Sequence, residues 1–330
     1  MPLSRFLTVA FLFLAAPLHA FDCGGSNLMP TLSPDKRAAL EARAAAAPYP
    51  TGLFWQATRG DTKITIFGTY HFFHAKTKEQ VSALLPHARA ADVIYFEMSH
   101  RDTKRFEKQS QTDPTLMFIT SGPTIPEMLD EADWQRLRTL MAERGIPSFM
   151  AAKFKPIFIS MMLGSSPCDL RQQMSGIAGI DERLAAQLDA DGLDTRSIED
   201  TSTVVKLLDG FTREEQIAMI KLSLDLPQDP DDLQTTLLDL YFAENISLLW
   251  EFGRMLMLEH GGPTAQADFD KFERMFLTDR NTGWAELLDT QTAGKSVFVA
   301  VGAGHLPGKI GLLHMLETRG FAIKRLQLSE

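Results

Sequence analysis

The chain has 330 residues, enough to bury a substantial core, and its 45% hydrophobic and 23% charged residues suit a soluble globular protein. A formal net charge of −9 with no long basic run argues against electrostatic binding of nucleic acid. Cys23 and Cys168 are the two cysteines, so no C-x-x-C pair is available.

At the N-terminus, Arg5 precedes an apolar run from Phe6 to Leu18, with Ala20 shortly after. This pattern predicts a signal peptide over residues 1–20, cleaved after Ala20, and hence a periplasmic or secreted protein. The run is shorter than the roughly 20 residues of a membrane span, so no transmembrane span is expected after cleavage. An uncleaved N-terminal anchor is the alternative. In an oxidising compartment Cys23 and Cys168 either pair, pinning a lead-in over residues 21–51 to the mid-chain, or remain independent thiols.

Ser33-Pro34 starts a short Ala-rich helix that Pro48 and Pro50 stop. Leu53–Thr58 and Lys63–Phe67 read as strands around the turn Arg59-Gly60-Asp61. A loop from Thr69 to His74 leads to a helix over Lys78–Ala91, with Val81, Leu84, Leu85 and Ala88 on one face, and then to a strand over Asp92–Glu97. Strand, loop, helix and strand make a βαβ unit and imply a parallel sheet.

The middle, about residues 101–290, reads as mostly helical. Asp130 caps a helix bearing Trp134, Leu137 and Met141, and Thr212 with Glu215 forms a capping box. Asp225–Asp232 reads as a loop, and Leu237–Leu258 as one long helical stretch. Near the end, the strand Ser296–Val301 is followed by Gly302-Ala303-Gly304-His305, a helix over Lys309–Arg319 and a strand over Phe321–Leu328. The expected fold is α/β: two strand–GxxH–helix–strand units forming a central sheet, with a large helical insertion, in one domain over residues 52–330.

Sites in open α/β sheets gather at the carboxyl ends of parallel strands. Gly68–His71, Gly302–His305 and Glu97 all fall at such ends. If the two units lie side by side, His71, Glu97 and His305 converge. Two imidazoles and a carboxylate suit a divalent metal of the Mn, Co or Zn type, able to activate water and polarise a carbonyl. His74 and His100 are alternative or supporting groups. No nucleophile elbow, Walker A loop or H-E-x-x-H helix is present.

At these residues the chain resembles the TraB/GumN family, within the superfamily that includes the Tiki proteases. The resemblance runs from Gly52 to the C-terminus. It is carried by Gly52-Leu53-Phe54-Trp55, Ile66-Phe67-Gly68-Thr69-Tyr70-His71, Ala91–Glu97, Gly179-Ile180-Asp181, Ile198-Glu199, Asp279-Arg280-Asn281 and Val301–Gly308. The resemblance implies a duplicated α/β fold and a metal-dependent, peptidase-like hydrolase site. Residue by residue, it implies His71, Glu97 and His305 as metal ligands and Arg280 as an anion or transition-state stabiliser, or else a salt-bridge partner of Glu97 or Asp181. Asn281 would orient a loop. Asp181 and Glu199 would be supporting acids, with Asp181 alternatively the N-cap of a helix starting at Glu182.

Two functions follow. One is an exported metal-dependent hydrolase acting on a peptide or other small polymeric substrate. The other is a non-catalytic periplasmic protein that sequesters a peptide or saccharide in the same cleft.

Overall fold

The computed structural model describes residues 23–328 apart from 201, 202, 204, 205 and 208, and the expected signal peptide lies outside the described residues. At its centre is a six-stranded sheet in the order β4-β3-β5-β2-β1-β6. The strands are β1 (Phe54–Arg59), β2 (Thr62–Thr69), β3 (Val93–Phe96), β4 (Thr195–Ser197), β5 (Ser296–Gly302) and β6 (Ala322–Arg325). The hairpin of β1 and β2 closes at Arg59↔Thr62, where Gly60 adopts a φ of 55°. β5 is parallel to both β2 and β3, and β3 to β4; β1 runs against its neighbours β2 and β6.

Both expected units form. β2 leads through α1 (Thr77–Arg89) to β3, and β5 leads through a short helix, α2 (Leu312–Glu317), to β6. The two crossovers leave in opposite directions along the sheet, and right-handed connections then cover opposite faces. The packing follows this rule. Val81, Leu84 and Ala88 of α1 pack with Phe67, Phe298 and Ala300, whereas Leu312, Leu313 and Leu316 of α2 pack with Ile66, Val297 and Val299. Alternate residues of β5 thus serve alternate faces, the period-2 behaviour of a strand buried on both sides. Since β2 and β5 are neighbours whose chains depart to opposite faces, their carboxyl ends form a topological switch point, where a crevice opens.

The helical insertion begins with α3 (His100–Thr112), capped by Ser99, and α4 (Glu131–Glu143), capped by Asp130. Then come α5 (Pro156–Leu163), α6 (Pro167–Met174), α7 (Ile180–Ala190) and α8 (Arg213–Asp225), the last closed by the Thr212–Glu215 capping box. Leu137, Met141, Ile159, Leu163, Ile220 and Leu224 make a separate apolar cluster. Against it lies Arg144, 1% exposed, whose guanidinium donates to the carbonyls of Leu140, Met162, Leu163 and Ser165.

Three expectations are corrected. The stretch Leu237–Leu258 is two helices, α9 (Pro230–Phe242) and α10 (Ile246–His260). They break at Glu244, whose φ is 55° and whose carbonyl accepts the Gly52 N–H at 2.8 Å, so the chain entering β1 is anchored where the helix turns. The loop before α9 is shorter than Asp225–Asp232, because Asp229 caps a helix with Pro230 in its first turn. The last helix does not begin at Lys309: the Ile310 carbonyl accepts the Asn281 side-chain amide at 2.8 Å, and helix starts only at Leu312.

Cys23 and Cys168 form a disulfide across 145 residues, with Cα atoms 5.5 Å apart. The lead-in lies along α9, where Ser26 N donates to Asp232 at 2.5 Å and Leu28 N to Thr236 at 2.8 Å. Among the described residues, no helix is long and apolar enough to cross a membrane.

Candidate functional site

The crevice at the ends of β2, β5 and β3 receives His71, His305 and Glu97, so the convergence expected from the two G-x-x-H motifs occurs. Glycine makes the approach possible. A Cβ on Gly302 would lie 3.1 Å from Glu97 Oε1, 3.3 Å from His71 Nε2 and 3.7 Å from His305 Cδ2. The missing side chain therefore leaves a gap that all three residues border.

His71 is half-exposed, and its Nδ1 lies 3.2 Å from Asp181 Oδ2. Asp181 reaches it because α7 starts against the β2 loop. A Cβ on Gly179 would collide with the backbone of Tyr70 and His71, and Ile180 N donates to the Tyr70 carbonyl at 3.0 Å. Helix α7 begins at Ile180 with Gly179 as its N-cap, so Asp181 is not the cap; its carboxylate faces His71 instead. The Asp181 charge raises the His71 pKa to about 9, against the opposing effect of burial.

Glu97 Oε1 accepts the Gly302 N–H at 2.6 Å, and Oε2 accepts Arg280 Nη2 at 2.6 Å. Burial opposes ionisation of this carboxyl. Its neighbours His305, Arg280 and His71, with the Gly302 N–H, outweigh burial and hold it well below the usual carboxylate range.

Arg280 lies in the first turn of α12 (Asp279–Gln291), which continues α11 (Ala265–Glu273) through a π-helical segment, Arg274–Thr278. A π segment adds a residue to the turn and rotates whatever follows, a device common beside functional sites. Arg280 Nε donates to Glu199 at 3.0 Å, Nη2 to Glu199 at 2.5 Å, and Nη1 to His305 Nε2 at 3.2 Å. Its guanidinium lies 4.7 Å from the Trp284 ring centre, and Trp284 Nε1 donates to Glu199 at 3.2 Å. Burial opposes the charge on Arg280, but Glu97 and Glu199 more than offset it. The ion pair expected with Glu97 is present; Glu199, rather than Asp181, is the second partner.

His305 is 6% exposed, and its Nδ1 lies 2.7 Å from Asn281 Oδ1. The Asn281 amide also donates to the His305 carbonyl at 3.3 Å. Nδ1–H therefore donates to Asn281 while Nε2 accepts from Arg280, which defines a neutral tautomer. Burial, aided by Arg280 and His71 and opposed by Glu97, pushes the His305 pKa down to about 3.

His74 is not part of this group: its Nδ1 accepts the Lys76 N–H at 3.2 Å and its ring packs on Phe242. His100 does line the cleft, together with Thr69, Met98, Thr103 and Glu182, in a volume of about 210 Å³. The sequence offers it as an alternative or supporting group, from its place three residues after Glu97. Trp284 was missed; its place one turn after Arg280 on a helix was the available clue.

The atoms of His71 and Glu97 that border the gap above Gly302 are Nε2 and Oε1, and these are the donors that could reach an ion there once Nε2 has lost its proton; the Asp181 carboxylate on Nδ1 orients the ring. His305 turns Cδ2 to the gap and gives Nε2 to Arg280. Among the described residues, no group of three or more His, Cys, Asp or Glu side chains is spaced to hold a metal ion.

A search among curated proteins gave no match. The family described as TraB/PrgY/gumN matches residues 53–325.

Proposed function

The chain belongs to the TraB/PrgY/gumN family, and from that premise we propose that it is an exported, metal-dependent hydrolase acting on peptide-type amide bonds. One observation carries the proposal: His71 Nε2 and Glu97 Oε1 border the same glycine-made gap at the switch point of the sheet. The disulfide, and the lack of a membrane-crossing helix among the described residues, are compatible with export.

His71 and Glu97 would hold the ion. When bound, a divalent metal supplies an acidified water and polarises the scissile carbonyl. Asp181 fixes the His71 ring through Nδ1 and leaves Nε2 toward the gap. Glu97 stays ionised at neutral pH, so Oε1, on the side away from Arg280, would be a charged donor to the ion. The donors of Arg280 end on Glu97, Glu199 and His305, so its part is to hold those groups in place. Asn281 keeps His305 in the tautomer that accepts from Arg280. As a ligand, His71 must give up its Nε2 proton, so loading improves as pH rises toward about 9.

Elemental analysis of protein prepared without chelators, combined with digestion of a random peptide pool, tests this reading. Divalent metal in the wild type, lost in His71→Ala, together with chelator-sensitive cleavage, is the expected result. A metal-free wild type that cleaves nothing sinks it. The interlocking of Arg280, Glu97 and His305 favours a second reading, a recognition site without turnover. That reading predicts peptide or saccharide binding insensitive to chelators.

A further inference from the structure

The cleft beside the site holds polar atoms that the proposed chemistry does not use. Its floor is Thr69, Phe96, Glu97 and Ala300 at the strand ends, and its sides are the first turns of α3 and α7, carrying His100 with Thr103 and Asp181 with Glu182. Three of these residues hold a buried polar atom with no hydrogen-bond partner: Thr69 Oγ1, His100 Nδ1 and Asp181 Oδ1. Such an atom is costly to bury, and native structures contain few. Their concentration in one cleft next to His71 and Glu97 calls for a ligand that completes them.

The chemistry of the three atoms is complementary. A carboxylate oxygen only accepts, so Asp181 Oδ1 requires a donor. A hydroxyl and an imidazole nitrogen can both donate, so Thr69 and His100 can serve an acceptor. A group presenting an N–H and a C=O a few ångströms apart meets both needs, and the peptide unit is that group. Met98, Phe96, Ala185 and Ala300 supply apolar surface for the flanking side chains.

We infer that Thr69, His100 and Asp181 Oδ1 form a substrate-binding subsite that seats one backbone amide of the substrate beside the reacting bond. This rests on the peptide-hydrolase reading. His100 is here a binding and specificity residue, and Glu97 and His71 keep the chemistry. A site built to bond an N–H discriminates strongly against an analogue lacking it, because its own acceptor is then left unpaired.

The test is calorimetric binding of N-acetyl-trialanine amide and of its depsipeptide analogue, in which the central N–H is replaced by oxygen. The full-length protein is used, with thermal melts as the fold control. Wild type is expected to bind the amide about tenfold or more tightly than the ester. His100→Ala and Thr69→Val each weaken both ligands about tenfold. His100→Asn, which keeps a polar atom near the Nδ1 position, recovers most of the loss. Equal affinity of wild type for the two ligands, no binding of either, or unchanged binding by well-folded His100→Ala overturns the subsite. Amide preference without any cleavage leaves the subsite standing and sinks the hydrolase reading. Cleavage of the peptide with no amide preference does the reverse.

Discussion

Two arginines largely withdrawn from water mark two regions of this molecule that work in different ways. Arg144, in the helical insertion, spends its guanidinium on four main-chain carbonyls. Arg280, at the end of the sheet, spends its own mainly on two carboxylates and an imidazole, with one longer contact of 3.5 Å to the Phe276 carbonyl. Both are charged side chains withdrawn from water, which is costly unless every donor finds an acceptor. The acceptors differ in kind. Carbonyls do not titrate and belong to helix ends that need closing, so Arg144 fastens segments together. Glu97 and His305 are titratable groups whose pKa values Arg280 helps to lower. The lesson is that burial of a cation does not by itself mark function; the identity of its acceptors does.

The largest effect expected is at Arg280. Replacement by Met leaves Glu97 and Glu199 buried without their counter-ion, and peptide cleavage should fall about a thousandfold or more, measured as kcat/KM. If activity stays within tenfold of wild type, the distinction between the two arginines collapses. Arg144→Met should do the opposite. Four carbonyls lose their donor, stability measured in urea should drop by about 3–5 kcal/mol, and kcat of the folded fraction should change less than threefold.

The disulfide belongs to the fastening region. Cys23→Ser should cost about 2–4 kcal/mol of stability while leaving the metal content of folded protein unchanged. A large loss of bound metal would instead tie the lead-in to the site.

The smallest effect expected is the pH response of Asp169, the neighbour of Cys168. Burial raises its pKa from 3.8 to about 6, helped by Asp231 and opposed by Ser166 and Gln234. The folded state then binds this proton more tightly than the unfolded state. The stabilising contribution is complete below about pH 4 and is lost as pH rises through about 6. Asp169→Asn should remove that slope, on the order of 2 kcal/mol, in unfolding curves recorded at pH 4 and pH 8. An unchanged slope would show that the carboxyl reaches water.

Much of this was readable in the sequence, for reasons that separate local from distant effects. The strands announce themselves because Val297, Val299 and Val301 alternate with Phe298 and Ala300 in a run without a polar break. Caps at Asp130 and Thr212 are local hydrogen-bonding patterns, and both form. The convergence of His71, Glu97 and His305 followed from strand-end logic alone. The insertion of β5 between β2 and β3 did not, because pairing between strands so far apart in sequence leaves no local mark. The same holds for the break at Glu244, whose carbonyl accepts the N–H of Gly52, nearly two hundred residues earlier. Arg144 shows the limit most plainly. Nothing adjacent to it in sequence distinguishes an arginine that will be buried from one that will face solvent.

The place of β5 in the sheet also fixes when the protein can come into being. A ribosome makes β2 and β3 long before β5, yet β5 is the strand that joins them. Until it arrives, β2 and β3 have no common neighbour and the switch point does not exist. Until then the edges of β2 and β3 that β5 will cover stay unpaired, and such bare edges are what a chaperone shields. The same timing keeps Glu97 away from Gly302 and Arg280 from His305. The cluster is assembled only once β5 has been made, so a product interrupted before β5 carries His71 and Glu97 without the crevice that gathers them.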